Sequence, residues 1–549
     1  MTEPLTLGQR ADQLARLANE SFDVVVVGGG ITGAGVALDL ASRGLRVALL
    51  EQFDFASGTS SRSSKLIHGG LRYLAQGQIH VTRVAVQERE RLLRLAPHLV
   101  ERLPFLIPVY GGWSERLWLG LGLTVYDLLA GLERSRWHRW WDRETVLRRV
   151  PSLRAVGLDS AYVYEDCRTD DARLVLTVLG EAVARGAAVA NYTLAMAPLF
   201  DHRGVAGVVA GDRLSGREFA IRAPAVVLAG GVWAARLFAW DPLLPPLRLR
   251  PSKGVHLVLP GERLAPADLA LYVPTGRDRR LVFVIPWYGR TLVGTTDTPY
   301  EGDLAAPRCT ADDLEYLLGA LHYAFPTVSV EPADVLSVQA GLRPLIDTGA
   351  RETTALSRED RVVASPTGIV AVAGGKLTAY REMAEKVGDL VGRRLAALGR
   401  AVPPSPTRTL PLGGRWAGPD AVARLVLDLA GTLPPSVAWH LVRRYGETAR
   451  LLADLIAAEP RLGEPLVPGL PWVGAEVVYA ARHEQAMTVA DVLARRTRLA
   501  LLLPDQGRCL APKVAAALAE AWGLPAEAAA RLAAAYEQDA LAFTPPGRA

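Results

Sequence analysis

One strand-turn-helix unit near the start constrains this chain more than any other feature. Phe22-Asp23-Val24-Val25-Val26-Val27 is a β-branched run that ends at Gly28-Gly29-Gly30-Ile31-Thr32-Gly33. An apolar run without polar alternation predicts a strand buried on both faces, as in a parallel sheet. Ile31 to Ser42 then carries apolar residues at helical spacing, with Gly44 as its stop. Leu45 to Leu50 predicts a second strand, closed by Glu51. The G-x-G-x-x-G turn of such a βαβ unit suits the pyrophosphate of a dinucleotide. Gly28 turns the chain tightly, Gly30 lets backbone N–H groups approach the phosphates, and Gly33 lets the helix pack on the strand. The N–H groups of Ile31 and Thr32 sit at the positive end of the helix dipole. Glu51 stands where a carboxylate accepts ribose hydroxyls, and it would repel a 2′-phosphate, which argues against NADP.

The turn alone does not choose between FAD and NAD. The βαβ unit opens almost at the N-terminus, and a second Gly pair, Gly374-Gly375, follows the strand predicted over Gly368 to Ala373. Contacts from such distant segments favour the longer cofactor, FAD. Between these points lie a Ser/Thr-rich loop (Ala56 to Ser64), helices over 80–100 and 170–186, and a strand over Ala223 to Ala229 closed by Gly230-Gly231. From about 250 to 345, alternating runs separated by Gly, Pro and Asp turns predict an antiparallel sheet. Beyond Pro403-Pro404-Ser405-Pro406 the chain turns Ala-, Leu- and Arg-rich with helical periodicity, so that stretch marks a boundary.

With 549 residues the chain is too long for one ordinary core. Its net charge of +5 is mild, comes mostly with Arg, and accompanies no nucleic-acid-binding motif, so no nucleic acid is expected as a partner. Cys167, Cys309 and Cys509 are far apart with no CxxC pair, which points to neither disulfides nor a metal site. They fit an intracellular protein. The first 21 residues lack an apolar signal core, and no run reaches the ~18 apolar residues needed to cross a bilayer.

Several segments resemble one family closely. Val27 to Asp39, closing with Arg43-Gly44, is similar to the first signature of the bacterial, aerobic-type FAD-dependent glycerol-3-phosphate dehydrogenases. Thr59-Ser60-Ser61 and Ser63-Ser64-Lys65-Leu66-Ile67-His68-Gly69-Gly70-Leu71-Arg72-Tyr73 resemble the same family. So do Gly294-Thr295-Thr296-Asp297, Gly341-Leu342-Arg343-Pro344-Leu345, Gly374-Gly375-Lys376-Leu377-Thr378, Leu410 to Gly414 and Asp491 to Arg498. The resemblance implies an α/β plus antiparallel-β architecture. A discontinuous FAD-binding, Rossmann-like domain would span 1–100, 150–240 and 350–400. A substrate domain would span 101–149 and 241–349, and an all-α domain 401–549. It also implies oxidation of glycerol 3-phosphate to dihydroxyacetone phosphate, with hydride passing to FAD and electrons to a membrane quinone.

The expected site follows from that chemistry. A phosphate dianion calls for fixed cations, and Arg343, Lys376 and Arg72 lie in Gly-rich loops, Arg72 beside Tyr73. Loss of the C2 hydroxyl proton calls for a base, and His256 and His68 are the two histidines in family-like segments. Ser60, Ser61 and Ser64 can donate to the cofactor. Gly69, Gly70, Gly230, Gly375, Leu377 and Thr378 are expected beside it, with Lys376 serving both ligands. Alternatives are an oxidase of the same fold that reduces O2, another amine- or hydroxyacid-oxidising flavoenzyme, and a non-catalytic flavin-binding or tRNA-modifying scaffold.

A quinone-reducing enzyme must also meet the bilayer, from the cytoplasmic side. Five of the twelve Trp (Trp113, Trp118, Trp137, Trp140, Trp141) fall among Leu117, Leu119, Leu121, Leu123, Leu128 and Leu129, with Arg134, Arg136, Arg139 and Arg143 around the last three Trp. Two readings fit: a core helix with a solvated basic edge, and a peripheral segment lying on the inner membrane face. The sequence does not set the oligomeric state, and a homodimer is left open.

Overall fold

The computed structural model describes residues 5–75, 77–261, 263–278, 280–347 and 360–548, with the side chains of Arg72 and Ala75 outside that description. The Val run forms the strand Val24–Val27 at the centre of a six-stranded sheet. Val47–Leu50 and Ala188–Ala190 lie on one side of it, and Val226–Leu228, Ile369–Gly374 and Asp360–Ala364 on the other. All neighbours are parallel except the last pair. Alternate residues of these strands serve two cores. Val24, Val26, Val47 and Leu49 pack under the helices, whereas Val25, Val27, Ala48 and Leu50 pack against a three-stranded sheet over 193–222. Burial on both faces is why the run shows no polar alternation. The helix Ile31–Ser42 starts and stops where its spacing predicts, and it packs between Asp171–Val183 and Tyr380–Ala397.

The region from 250 to 345 joins a ten-stranded sheet that also takes in Leu66–Ile67, Glu101–Val109 and Ser160–Arg168. This sheet is antiparallel with one exception, the pairing of Ala270 and Leu271 with Phe105 and Leu106, which is parallel. Those two strands are remote in sequence, so no hairpin forces them antiparallel. Ser160–Arg168, which lies inside the range expected from sequence for the FAD-binding domain, pairs here along the whole of Glu101–Val109.

Beyond residue 420 the chain is helical to Ala540. The segment 486–515 of this region packs on the ten-stranded sheet through a shared core with Phe105, Ile285, Trp287 and Leu292.

The Trp-rich stretch begins with a helix, Gly112–Ala130. It is not a core helix with a basic outer edge. From Leu117 onward every exposed residue on it is apolar: Leu117, Trp118, Leu121, Val125 and Leu128. At 100° per residue these positions fall on one arc, together with Trp113. Trp113 and Trp118 keep 71% and 74% of their surface in solvent, while Leu123 and Tyr126 anchor the opposite face. Among the described residues, no helix is long and apolar enough to cross a membrane.

Candidate active site

Two adjoining cavities lie where the parallel sheet meets the ten-stranded sheet. The larger, about 550 Å³, opens at the C-terminal ends of Val24–Val27 and Val47–Leu50. Gly28, Gly30, Ile31, Thr32 and Glu51 line one side of it, Ser60 and Gly230 another, and Gly375, Lys376 and Leu377 the end. Gly33 lies behind the turn, where an added Cβ would come within 1.8 Å of the Gly28 carbonyl oxygen, so the helix can start this close to the strand only on glycine. At Gly30 a Cβ would meet only Ser60 Oγ, at 3.2 Å, so that position opens into the cavity. Gly30 at the N-cap has no side chain to cap the helix, Ser60 Oγ from the neighbouring loop accepts Ile31 N–H at 2.9 Å, and the first turn holds no acid.

Glu51 braces the same turn. One carboxylate oxygen accepts Gly29 N–H at 2.7 Å and the other accepts Phe53 N–H at 2.9 Å. Burial pushes its pKa up to about 7, against the pull of those two amides. Each oxygen retains a lone pair for a further donor.

The smaller cavity, about 180 Å³, shares Thr59, Ser63, Gly375, Lys376 and Leu377 with the larger one. His68, Tyr73, His256, Arg343 and Lys376 all line it, as do Ser64 and Thr378. Arg72 lies outside the described side chains. Ser61, Gly69 and Gly70 line neither cavity. Ser61 is buried and turns its carbonyl to Lys65 and Arg498. Gly69 packs where a Cβ would strike Val86 and Tyr126, so its smallness serves protein packing.

Strand register assembles the wall of this smaller cavity. Ser252, Gly254 and His256 alternate with Lys253, Val255 and Leu257, and on the neighbouring strand Gln339, Gly341 and Arg343 lie opposite them. Arg343 donates to Thr295 Oγ1 at 3.1 Å and to the Thr296 carbonyl at 3.2 Å, with Asp297 behind it at 3.5 Å. A Cβ on Gly254 would collide with its guanidinium at 2.6 Å, which is how the side chain lies along the sheet. Lys376 Nζ stands 3.3 Å from the centre of the Tyr73 ring. Thr378 Oγ1 accepts His68 N–H and donates to its carbonyl, tying that loop to the Gly374-Gly375 turn.

Arg62 also lines the smaller cavity, and sequence reasoning did not single it out. Burial, and then Arg495 nearby, lower its pKa to about 10, so it remains cationic at neutral pH. The cavity thus faces Arg62, Arg343 and Lys376, and no Asp or Glu lines it among the described residues. Such a pocket can hold a small dianion with its neutral portion against two imidazoles.

A dinucleotide cavity that runs into a cation-lined pocket is the arrangement of a flavin-dependent oxidoreductase. Residues 23–381 match the family model described as FAD dependent oxidoreductase, and residues 405–529 match that of the C-terminal domain of alpha-glycerophosphate oxidase. Glycerol-3-phosphate dehydrogenase 2 of Mycobacterium tuberculosis is 40% identical over 522 residues, which covers 94% of this chain and 87% of that protein. The aerobic glycerol-3-phosphate dehydrogenase of Staphylococcus aureus is 37% identical over 490 residues, 88% of this chain and 87% of that one. The solved glycerol-3-phosphate dehydrogenase of Bacillus halodurans, complexed with FAD, matches with a TM-score of 0.81 at 31% identity, over 98% of both chains. The chain belongs to the FAD-dependent oxidoreductases and, among them, to the glycerol-3-phosphate dehydrogenase family. FAD is its cofactor. The larger cavity fits that group: a helix N-terminus with no acid in its first turn suits a pyrophosphate, position 30 leaves room for it, and Glu51 offers lone pairs to a ribose.

Proposed function

We propose that this protein oxidises sn-glycerol 3-phosphate at C2 to dihydroxyacetone phosphate and passes the electrons to a membrane quinone. The observation that carries this reading is the smaller cavity, with its three cations and, among the described residues, no lining carboxylate. A phosphate near −2 at neutral pH needs such a counter-charge, and guanidinium forks match its oxygens. Arg343 and Arg62 hold the phosphate, and Lys376 sits between the phosphate and the flavin cavity. FAD, when bound, accepts the hydride from C2. His256 and His68 face the same space and manage the hydroxyl proton.

The quinone lies in the bilayer, so the protein must dock on it without spanning it. The apolar arc of Gly112–Ala130, with exposed Arg134, Arg136, Arg139 and Arg143 after it, supports a peripheral position on the cytoplasmic face. The direct test of the reaction is anaerobic. Glycerol 3-phosphate should bleach the flavin absorbance, and glycerol should do so poorly. Equal bleaching by both would remove the phosphate from the argument and with it the substrate.

A further inference from the structure

His256 lies in the middle of Ser252–Pro260 and is buried, with Gln339 opposite it on one neighbouring strand and Gly294 on the other. A Cβ on Gly294 would come within 2.4 Å of the imidazole Cδ2, so the ring rests on bare backbone. Nε2 is 2.8 Å from Ser64 Oγ at the cavity wall, and Nδ1 is 3.4 Å from Gln339 Nε2.

The Gln339 amide has only one consistent orientation. Its Oε1 faces Lys65 Nζ at 3.1 Å, and an ammonium can only donate. Its Nε2 faces the Ser63 carbonyl oxygen at 2.7 Å, which can only accept. Lys65 is itself fixed: it is fully buried and also donates to the Ser61 carbonyl at 2.7 Å and to Asp171 at 2.9 Å. The second amide hydrogen of Gln339 therefore points at Nδ1, and that nitrogen must be the unprotonated one. The proton of the neutral ring then sits on Nε2, where Ser64 Oγ accepts it at the cavity wall in the place a substrate oxygen would share. Burial, followed by the charges of Lys65 and Arg343, holds the His256 pKa well below its ordinary value, so the ring stays neutral. Asp171, which could oppose this, lies on the far side of Lys65 and is already paired to it.

We propose that Gln339 is a positioning residue that holds His256 as its Nε2–H tautomer, so that His256 donates a hydrogen bond to the C2 oxygen of the substrate instead of taking its proton. This rests on the substrate reading above. As the C2–H bond breaks, its electron pair leaves as hydride to FAD. The O–H bond breaks, its proton goes to His68, the other imidazole lining the cavity, and the oxygen closes the carbonyl. A donor aimed at that oxygen stabilises the negative charge it carries as the proton leaves.

Three measurements test this. In the holoenzyme, ¹⁵N spectra of labelled histidine, assigned with a His256→Gln variant, should show protonated Nε2 and bare Nδ1, unchanged across about pH 6 to 8. A protonated Nδ1 overturns the proposal. Second, His256→Gln keeps an N–H near the Nε2 position and His256→Leu does not. Flavin reduction by glycerol 3-phosphate should stay within about tenfold for Gln and fall about 10²–10³-fold for Leu; equal losses overturn it. Third, Gln339→Glu still accepts from Lys65 but pulls the ring proton to Nδ1. Its neutral His256 then presents a bare Nε2, and only the imidazolium can donate, so flavin reduction should fall as pH rises. A rate that climbs with pH makes His256 the proton acceptor. If wild-type flavin is not bleached at all, the substrate reading fails, while the spectra still decide the tautomer.

Discussion

Two groups of basic residues meet near the Ser-rich loop, and their counter-charges differ. The C-terminal region sends Arg444, Arg495, Arg496 and Arg498 inward. Arg498 pairs with Asp170 and Asp171, Arg444 with Asp170 and Glu476, Arg496 with Asp54 and Glu484, and Arg495 with Asp54 and Asp491. Arg444, Arg496 and Arg498 are buried in the core, and the Arg495 side chain is slightly exposed. On the other side of the same loop, Arg62, Arg343 and Lys376 face a cavity with no carboxylate on its wall among the described residues. Buried arginines that are matched acid for acid hold a structure together. Cations gathered around a cavity, Arg343 among them although Asp297 stands behind it, are arranged for a ligand that brings negative charge. Ser61 lies on the boundary: its carbonyl accepts from Lys65 and from Arg498, so the C-terminal helices brace the loop that lines the site.

The sharpest way to break this contrast is to remove one matched arginine. Arg498→Ala leaves Asp170 and Asp171 short of a partner in the interior, which costs about 3–5 kcal/mol. Thermal unfolding should shift down steeply, and the variant should lose flavin with the fold. Burial alone would raise the Asp170 carboxyl, but Arg498 and Arg444 outweigh it and hold the pKa well below the usual carboxylate range. A depressed native pKa gives stability that is present above the ordinary value near 3.8 and lost as pH falls through the native one. Wild type should therefore lose stability below about pH 4, and Arg498→Ala should show a shallower acid limb. An unchanged melting temperature would mean the cluster is not structural.

Removing a cation that lines the cavity should do the opposite. Arg343→Ala should cut kcat/KM for glycerol 3-phosphate by about 10²-fold, the loss of ~2–3 kcal/mol for one charge-assisted contact. The melting temperature should barely move. Arg62→Ala should act in the same direction, since its side chain lines the same cavity and remains cationic with a pKa of about 10. Loss of stability equal to that of Arg498→Ala would place these residues among the structural set.

Local physics made the cofactor side readable from sequence. One continuous stretch supplies the buried strand, the glycine turn, the helix bounded at Ile31 and Ser42, and Glu51. The alternation near 250–345 pointed to the antiparallel sheet, and the family resemblance implied the full fold class. The substrate side is assembled by sheet register, which no local pattern records. Gln339 reads as a polar residue in a strand, and only its pairing opposite His256 gives it a task. Arg62 carried a faint signal, a single cation between Ser61 and Ser63 in a loop already expected at the site. Gly69 shows the converse limit: a glycine marks close approach, but the sequence does not tell whether a ligand or Tyr126 is what approaches.

A third group of arginines gives the smallest expected effect. Arg134, Arg136, Arg139 and Arg143 are exposed, follow the apolar arc of Gly112–Ala130, and lie in neither the matched cluster nor the cavity wall. If they face anionic lipid, each contributes on the order of 1 kcal/mol, and much of that is screened at physiological ionic strength. Arg136→Glu with Arg139→Glu should weaken binding to anionic vesicles roughly tenfold, lower quinone-linked turnover, and leave dye-linked turnover intact, since the flavin site is untouched. Trp118→Ser with Leu121→Ser should weaken binding to neutral and anionic vesicles alike, because it removes buried apolar area instead of charge. That pattern separates the two halves of the contact: salt should mimic the arginine pair and not the Trp118 pair. Vesicle binding unchanged in both variants would move the membrane contact to another surface and leave the apolar arc without an occupant.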